Sequence, residues 1–291
     1  MHRYLLHNDE IVDAAIQCLS PGQVGLLAGW GVFSTIRVND GVLFAFDRHW
    51  ARMQRDAALM HVPLPPESSW MERRLQALVE ANQAHNSTLR VVVVRNRGGM
   101  WEGPGMTREF DVIAFTAGLK DWGSGVRLGL VEQARHAANM FAGTKVLSWA
   151  QNLTWNETAA NCGLDEMLLL NERAEVSECT SANIFVAEGP DVWTPPLKSG
   201  CLPGVTRALL LEEIRLPGYR VGERVLFPAD LEKADEVFIT STTRELLPVL
   251  EIEGLKIQRK GSACRDLQAE FTKFSRKYVA EAKAAGQPVP R

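Results

Sequence analysis

Lys145 stands in "GTKVLSWAQN", next to Val146, Leu147 and Trp149. Apolar surroundings desolvate an amine, lower its pKa and make it a better nucleophile toward an aldehyde. Taken singly, a lysine ahead of a helix reads as a surface charge. In "LPGVTRALLLEEIRL" the Pro203-Gly204 turn opens a periodic helix, so the N–H groups of Val205 and Thr206 lack intrahelical acceptors and offer an anion or phosphate site. A loop that only caps a helix has the same wording. In "EVSECTSANIFV" Glu178 is followed by small residues that leave room for a planar ligand, where a carboxylate would keep a ring nitrogen protonated. The alternative is a strand-edge glutamate in solvent. "ADEVFITSTTRELLPV" ends an apolar run in Thr240, Ser241, Thr242 and Thr243, hydroxyls suited to phosphate or carboxylate, although threonine is also an ordinary strand residue. "GMTR" at Gly105 to Arg108 repeats the turn wording but runs into a strand and reads as loop.

These groups need elements to hold them. "GVFSTIRVND" and "GVLFAFD" predict a hairpin turning at Asn39-Asp40-Gly41. Asp47 then reads as the N-cap of "RHWARMQRDAALM", whose Trp50, Met53, Ala57 and Met60 recur at helical spacing. "SSWMERRLQALVEANQA" predicts a second helix with Trp70, Leu75, Leu78 and Val79 as its buried stripe. "LRVVVVRN" and "FDVIAFTA" are near-continuous apolar runs, which suits strands buried on both faces. The polar, glycine-rich "GLKDWGSG" interrupts the strand pattern and marks a domain boundary. Beyond it lie strands "VRLGLVEQA", "EMLLLN", "NIFVAE" and "EVFITST", helices around "LTWNETAANCG" and "TRALLLEEI", a long helix "DLQAEFTKFSRKYVAEAKAA" and a tail "GQPVPR" expected to fray.

The 291 residues suit two domains, and 46% hydrophobic with 23% charged residues is ordinary for a soluble globular chain. A net charge of -3 without a lysine and arginine cluster excludes nucleic acid and membrane surfaces as expected partners and leaves small-molecule chemistry. "MHRYLLHNDEIVDAAI" has acidic residues where a signal peptide needs an apolar core, and no apolar run approaches a membrane span, so a cytoplasmic location is expected. Five cysteines, Cys18, Cys162, Cys179, Cys201 and Cys264, are odd in number and never form a CxxC pair, which predicts reduced thiols and no metal site. Asn86, Asn152 and Asn156 open N-x-S/T triplets that are chance matches without secretion.

In the order Arg52, Lys145, Glu178, Gly204-Val205-Thr206 and Thr242, the whole chain resembles the class IV (fold type IV) pyridoxal-phosphate aminotransferases, a family that includes branched-chain and D-amino acid aminotransferases and aminodeoxychorismate lyases. "ECTSANIFVAEGPDVWTPPLKSGCLPGVTR" is the most specific part, similar to the family's E-x-x-x-x-N-[apolar]-F signature continued through "TP" to a "GxTR" turn. The resemblance implies an α/β fold of mixed α+β character with the cofactor at the domain interface. It implies a small domain over 1–118, a linker over 119–125 and a larger domain over 126–291 that carries the cofactor-bonding lysine. Pyridoxal 5'-phosphate is the implied cofactor. Lys145 would bond its aldehyde and move the Cα proton, and Glu178 would pair with its pyridinium nitrogen. Arg52, in "HWARMQRDAA" and similar to the family's "HxxRLxxSA", would clasp the phosphate with Val205, Thr206, Ser241 and Thr242. A homodimer is implied.

Two positions depart from family patterns. Leu147-Ser148-Trp149 replaces a run ending in a tyrosine that bonds the cofactor's phenolic oxygen, and either the indole substitutes for that bond or nothing does. Trp30 stands where relatives carry Asp or Tyr, and it either narrows the substrate pocket or packs beneath it. Thr35 in "VFSTIRV" favours the lyase, which releases 4-aminobenzoate and pyruvate, whereas "VFITSTTRELLPVLEIEG" is closer to the aminotransferases, and transamination is the favoured reading. A protein that binds the cofactor without turnover is a third reading, which the retention of both Lys145 and Glu178 opposes. The expected partners are an amino donor and a 2-oxo acid acceptor. Phe33, Thr35, Arg37, Arg95, Trp149 and Thr243 are candidate substrate contacts, and one of Arg37, Arg90, Arg95 and Arg97 could bind a carboxylate bidentately. "RNRGGMWEGPG" lacks the Arg-x-His carboxylate trap of D-specific relatives, so an L-amino acid, branched-chain-like, or an (R)-amine is expected as donor. Trp101 in this loop is a lid or an interface residue.

Overall fold

The structure is a computed structural model that describes residues 1–16 and 19–285, so Cys18 and "GQPVPR" lie outside the described residues. It forms two compact units, one of Met1–Lys120, Lys145–Trp149 and Ser275–Arg291, the other of Asp121–Thr144 and Ala150–Phe274. The polar boundary segment is where the chain first passes between units, but the expected partition into two continuous domains is too simple. Lys145 belongs to the first unit because its main chain pairs with a strand there, as described below.

In the first unit the chain order is β1 (Tyr4–His7), β2 (Glu10–Asp13), α1 (Val24–Ala28), β3 (Gly31–Asn39), β4 (Val42–Leu43), α2 (Phe46–Leu59), α3 (Ser68–Ala81), β5 (Ser87–Arg95) and β6 (Phe110–Ala117). The strands form one antiparallel sheet in the order β2-β1-β6-β5-β3-β4. The predicted hairpin is β3–β4: Asp40 and Gly41 have φ of 47° and 83°, the twin positive values of a two-residue turn that matches strand twist. β4 ends after two residues because Ala45, in the left-handed region at φ 54°, turns the chain into α2. The helix therefore starts at Phe46, and Asp47 sits in its first turn, where a carboxylate favours the positive end of the helix dipole, instead of being its N-cap.

β5 and β6 also differ from expectation. Their residues alternate between buried and half-buried, so each strand has one core face, and valine's β preference explains the continuous apolar wording. Val32, Ile36 and Val38 of β3 and Leu89, Val91 and Val93 of β5 meet Trp50, Met53 and Ala57 of α2 and Met71, Leu75, Leu78 and Val79 of α3. Each such buried aliphatic side chain contributes about 1.5–3 kcal/mol. Met71 takes the place expected for Trp70, which is only half-buried and carries the Arg74 guanidinium 3.7 Å above its ring.

The second unit contains β7 (Val126–Arg135), α4 (Ala150–Asn161), β8 (Glu166–Asn171), β9 (Val176–Cys179), β10 (Asn183–Glu188), β11 (Asp191–Thr194), α5 (Val205–Glu212), β12 (Arg220–Glu223), α6 (Pro228–Lys233), β13 (Glu236–Ser241) and β14 (Glu245–Ile252). Its sheet runs β12-β11-β10-β13-β14-β7-β8-β9, parallel at β11–β12, β14–β7 and β7–β8 and antiparallel elsewhere. β8, β9, β10 and β13 are buried along almost every residue, the both-faces burial that continuous apolar runs announce. β14 is central although it contains Pro248, and its pairing with β7 shifts register between Val249 and Glu251, the irregularity that lets a proline sit inside a sheet. The last helix, α7 (Ala263–Ala284), starts in the second unit and finishes in the first, where Tyr278 meets Phe44 edge-on with ring centroids 5.1 Å apart.

Cys162, Cys179, Cys201 and Cys264 are free thiols, all buried but Cys162. Burial raises Cys179 and pushes Cys201 up to about 12, so neither is a thiolate at neutral pH. Among the described residues no helix is long and apolar enough to cross a membrane, and no group of His, Cys, Asp and Glu could hold a metal ion.

Candidate active site

Lys145 is fixed by its backbone. Its carbonyl accepts the Phe33 N–H at 3.1 Å, Leu147 N–H donates to Gly31 O at 3.0 Å, and Val32 and Val146 form a bridge, so residues 145–147 add a short strand to the edge of β3. Gly31 is required there, because a Cβ would strike Val93 O and the Leu147 side chain. The Lys145 N–H donates to Asp56 Oδ2 at 3.0 Å, which ties the same residue to α2. Asp56 is 1% exposed and also pairs with Arg55. A carboxylate buried there for its hold on Lys145 carries no sequence signal beyond its place on the inner face of α2.

The Lys145 ammonium lies 4.6 Å from the centroid of the Phe33 ring, the Arg90 guanidinium carbon 4.9 Å from the same ring, and Trp149 meets it edge-on at 6.1 Å. Arg90 Nε also donates to Thr35 Oγ1 at 3.4 Å. The β3–β5 register explains this grouping, since Phe33 faces Val92 and Thr35 faces Arg90 across the pair. Phe33, Thr35 and Trp149 are thus brought together with Lys145, and Arg90 joins them. Burial lowers the Arg90 pKa from its ordinary value.

The other candidate arginines of this unit fall elsewhere. Arg37 shares the Phe33 face but sits four residues further along β3, roughly 13 Å away at strand rise, and its Nε donates to Asn39 Oδ1 at 2.9 Å. Arg95 has the opposite parity to Arg90 and points to the other face, where its guanidinium covers the Trp30 ring at 4.1 Å and bonds the carbonyls of Arg97 and His61. Arg95, expected as a substrate contact, is thus not among the residues gathered around Lys145. Trp30 packs beneath the sheet against the core, with its indole N–H donating to Met60 O at 2.7 Å. Arg97 pairs with Glu102 in the loop, and Trp101 is 75% exposed.

Arg52 projects from α2 toward β3. It donates to Ser34 Oγ at 2.9 Å and lies 3.5 Å from His49 Nδ1, while Ser34 Oγ and His49 Nδ1 are 2.8 Å apart. Burial lowers the Arg52 pKa to about 10, which leaves it a cation at neutral pH.

In the second unit Glu178, the residue before the last of β9, has both carboxylate oxygens engaged: Oε1 accepts Arg135 Nε at 3.2 Å, and Oε2 accepts the Leu202 N–H at 3.0 Å. Arg135, which the sequence reading missed, is oriented by Asn152 Oδ1 at 3.3 Å and by the Trp155 ring. It directly follows the predicted strand "VRLGLVEQA", and the end of β7 past the register shift after Val131 carries it to Glu178. Asn183 braces the following turn, its Nδ2 donating to Leu202 O at 2.8 Å. A Cβ on Gly204 would overlap Asn183 Oδ1, so the Asn of the signature and the Gly of the turn require each other.

α5 starts at Val205, and its first i to i−4 bond, Ala208 N–H to Gly204 O at 2.9 Å, leaves the Val205 and Thr206 amides ahead of the ladder as the sequence predicted. Arg207, the last residue of "GVTR", is structural: it bonds Pro195 O at 2.9 Å and pairs with Glu223. Ser241 ends β13, and Thr242 and Thr243 lie in the turn to β14. Ser241 Oγ accepts the Arg244 N–H at 3.2 Å and lies 3.4 Å from Thr243 Oγ1, and Thr243 O accepts the Trp122 indole N–H at 3.2 Å. Thr240 carries a buried hydroxyl with no hydrogen-bond partner.

Residues 31–252 match the family described as Amino-transferase class IV. A D-alanine aminotransferase of Bacillus licheniformis is 29% identical over 259 residues, covering 87% of this chain and 89% of the relative. The branched-chain-amino-acid aminotransferase of Escherichia coli K12 is 27% identical, with 92% and 91% covered. A crystal structure of the Escherichia coli branched-chain amino acid aminotransferase superposes with a TM-score of 0.86 at 23% identity over 94% of this chain and 95% of that one, a likeness of fold.

Proposed function

The chain belongs to the class IV aminotransferases, and from that membership we propose that it moves an amino group from an L-amino acid to a 2-oxo acid with pyridoxal 5'-phosphate bound by the residues described above. The observation that carries this reading is the Lys145 amine, its backbone held by β3 and Asp56, placed against Phe33 beside the Arg90 guanidinium.

The donor set fits the cofactor. In the first unit Lys145 offers a primary amine to an aldehyde and Arg52 a cation to a phosphate; in the second Glu178 offers a fixed carboxylate to a ring nitrogen, and the Val205 and Thr206 amides offer donors to a phosphate. Pyridoxal phosphate, when bound, supplies an aldehyde that condenses with amines and a ring that accepts the electron pair left at Cα. Lys145 Nζ would be the base that takes and returns the donor's Cα proton. Glu178 would hold a proton on the ring nitrogen, and Arg135 and the Leu202 N–H keep its carboxylate in one orientation. Ser241 and Thr242 add hydroxyls for the phosphate. Phe33 and Trp149 supply apolar walls that suit a branched aliphatic side chain, and Arg90 supplies the cation for the donor's carboxylate. The names of the relatives support the branched-chain reading, while the missing Arg-x-His trap separates this chain from D-specific relatives.

Half-reactions test the assignment. Loss of the visible absorbance of lysine-bound cofactor on adding L-leucine or L-glutamate, and not D-alanine, is the expected outcome. Reaction with D-alanine alone would reverse the stereochemical assignment, and 4-aminobenzoate release from aminodeoxychorismate with no response to any amino acid would make the chain a lyase. Glu178→Gln keeps the side chain's shape without its charge, and kcat is expected to fall about 10²–10³-fold, the scale of one preorganised electrostatic contact. Pre-steady-state absorbance measures this, and a rate within twofold of the parent would remove Glu178 from the chemistry. A homodimer in the cytoplasm completes the reading, and light scattering at working concentration checks the dimer.

A further inference from the structure

We propose that Ser34 and His49 form a neutral hydrogen-bond relay that aims Arg52 at the cofactor phosphate, making both of them positioning residues for phosphate recognition. The inference rests on the proposed role of Arg52. Ser34 lies on the core face of β3 between Val32 and Ile36, and it is fully buried. A hydroxyl there costs roughly 1–3 kcal/mol unless it is hydrogen-bonded. His49 and Arg52 reach it together because they lie three residues apart on α2, one above the other on the same helix face.

The direction of the relay follows from chemistry. A guanidinium only donates, so Ser34 Oγ accepts from Arg52 at 2.9 Å. The hydroxyl proton then needs an acceptor, and His49 Nδ1 stands 2.8 Å away. The same Nδ1 faces the Arg52 guanidinium at 3.5 Å, a second donor, so it carries no proton. Complete burial, with the Arg52 and Lys145 cations nearby, holds the His49 pKa well below its usual value, so the ring is neutral and its proton sits on Nε2. The relay therefore adds no charge. Asp56, the carboxylate closest in effect to Arg52, is bonded to Arg55 and to the Lys145 N–H. Ser34 and His49 can orient the guanidinium without neutralising it, which a carboxylate in place of Ser34 could not do. A buried serine and histidine serving packing alone would not need the cation at the end of the chain.

The test compares pyridoxal phosphate with pyridoxal, which lacks the phosphate, by titrating cofactor-free protein and following visible absorbance. The readout is the ratio of the two affinities. Arg52→Ala should collapse that ratio. Ser34→Ala should lower it about tenfold or more, the scale of a lost hydrogen bond to a charged group. His49→Leu should lower it as well, whereas His49→Gln, whose amide oxygen can accept the serine proton, should restore it. The His49 pair keeps the test decisive if Ser34→Ala does not fold. Equal weakening of both ligands in Ser34→Ala and His49→Leu, or an unchanged ratio in either while Arg52→Ala lowers it, would refute the relay and leave the Arg52 assignment standing. A parent protein that binds both ligands alike would overturn the Arg52 assignment and the relay with it.

Discussion

Lys145→Ala is expected to lower turnover by at least about 10³–10⁴-fold, since in the proposed mechanism it removes both the nucleophile and the group that moves the Cα proton. The variant is expected to fold normally. The contacts that fix residue 145 are made by its N–H and C=O, to Asp56 Oδ2 and Phe33 N, and alanine keeps both. What is lost is the ammonium over the Phe33 ring, a contact of about 0.5–1 kcal/mol. The phosphate groups remain, so the variant should still bind pyridoxal phosphate, without the visible band of lysine-bound cofactor. Equilibrium dialysis measures the binding and a coupled assay the rate. Retention of even a tenth of the parent's turnover would show that another amine carries the proton. Added small amines should restore part of the rate, because a diffusible base can do what Nζ did.

Arg244→Met is expected to cost about 3–5 kcal/mol of stability, the range for stranding one partner of a buried ion pair. Arg244 pairs with Glu166 Oε2 at 2.6 Å, with side chains 5% and 0% exposed. Arg244 also donates to Ser181 Oγ at 2.9 Å and covers the Trp122 ring at 4.0 Å. Glu166 Oε1 takes bonds from Thr180 Oγ1 at 2.9 Å and from the Ser181 N–H, so the carboxylate cannot turn away to find water. Methionine fills much of the volume and leaves the charge alone in the sheet. Adding Glu166→Gln to Arg244→Met should recover part of the loss by removing that charge, and thermal unfolding of the single and double variants measures both effects. A double variant less stable than the single one would mean that packing, not the stranded carboxylate, sets the cost. Because Arg244 directly follows Thr242 and Thr243 and its N–H holds Ser241 Oγ, weaker phosphate binding should accompany the loss of stability.

The residues proposed to touch the cofactor were legible because each belongs to a short local pattern: the lysine among apolar neighbours, the glutamate before small residues, the glycine turn before a periodic helix. The residues that hold them in place were not. Asp56, Arg135, Ser34 and His49 act across separations of 15 to 89 residues, and nothing in a local window distinguishes them from other polar groups on their elements. Asn183 is intermediate, since it stands in the signature but its purpose, bracing the turn that Gly204 needs, is a tertiary fact. Arg95 shows how a strand misleads. A shift of one position reverses the face a side chain reaches, so Arg90 joins Lys145 while Arg95 stacks on Trp30, and the period of two decides between them only once the register is fixed. β14 carries no plain signal of a central strand, because Pro248 argues against one and the β-bulge beside it is invisible in the wording.

The five residues Lys145–Trp149 join the first unit after the chain has already passed into the second, and that unit also claims Ser275 onward. During synthesis the first 120 residues therefore emerge with an unfinished sheet. The Phe33 N–H and Gly31 carbonyl at the β3 edge wait for 145–147, and Asn39 and Phe44 wait for Ser275 and Tyr278 near the end of the chain. At roughly 5–20 residues per second the open edge lasts about 1–5 seconds after residue 120 is made, long enough for another chain to pair with it. A fragment stopped at Lys120 should aggregate where the full chain does not. The segment that brings the reactive amine is also the one that seals this edge, so a nascent chain stays sticky until it has acquired the means to be an enzyme.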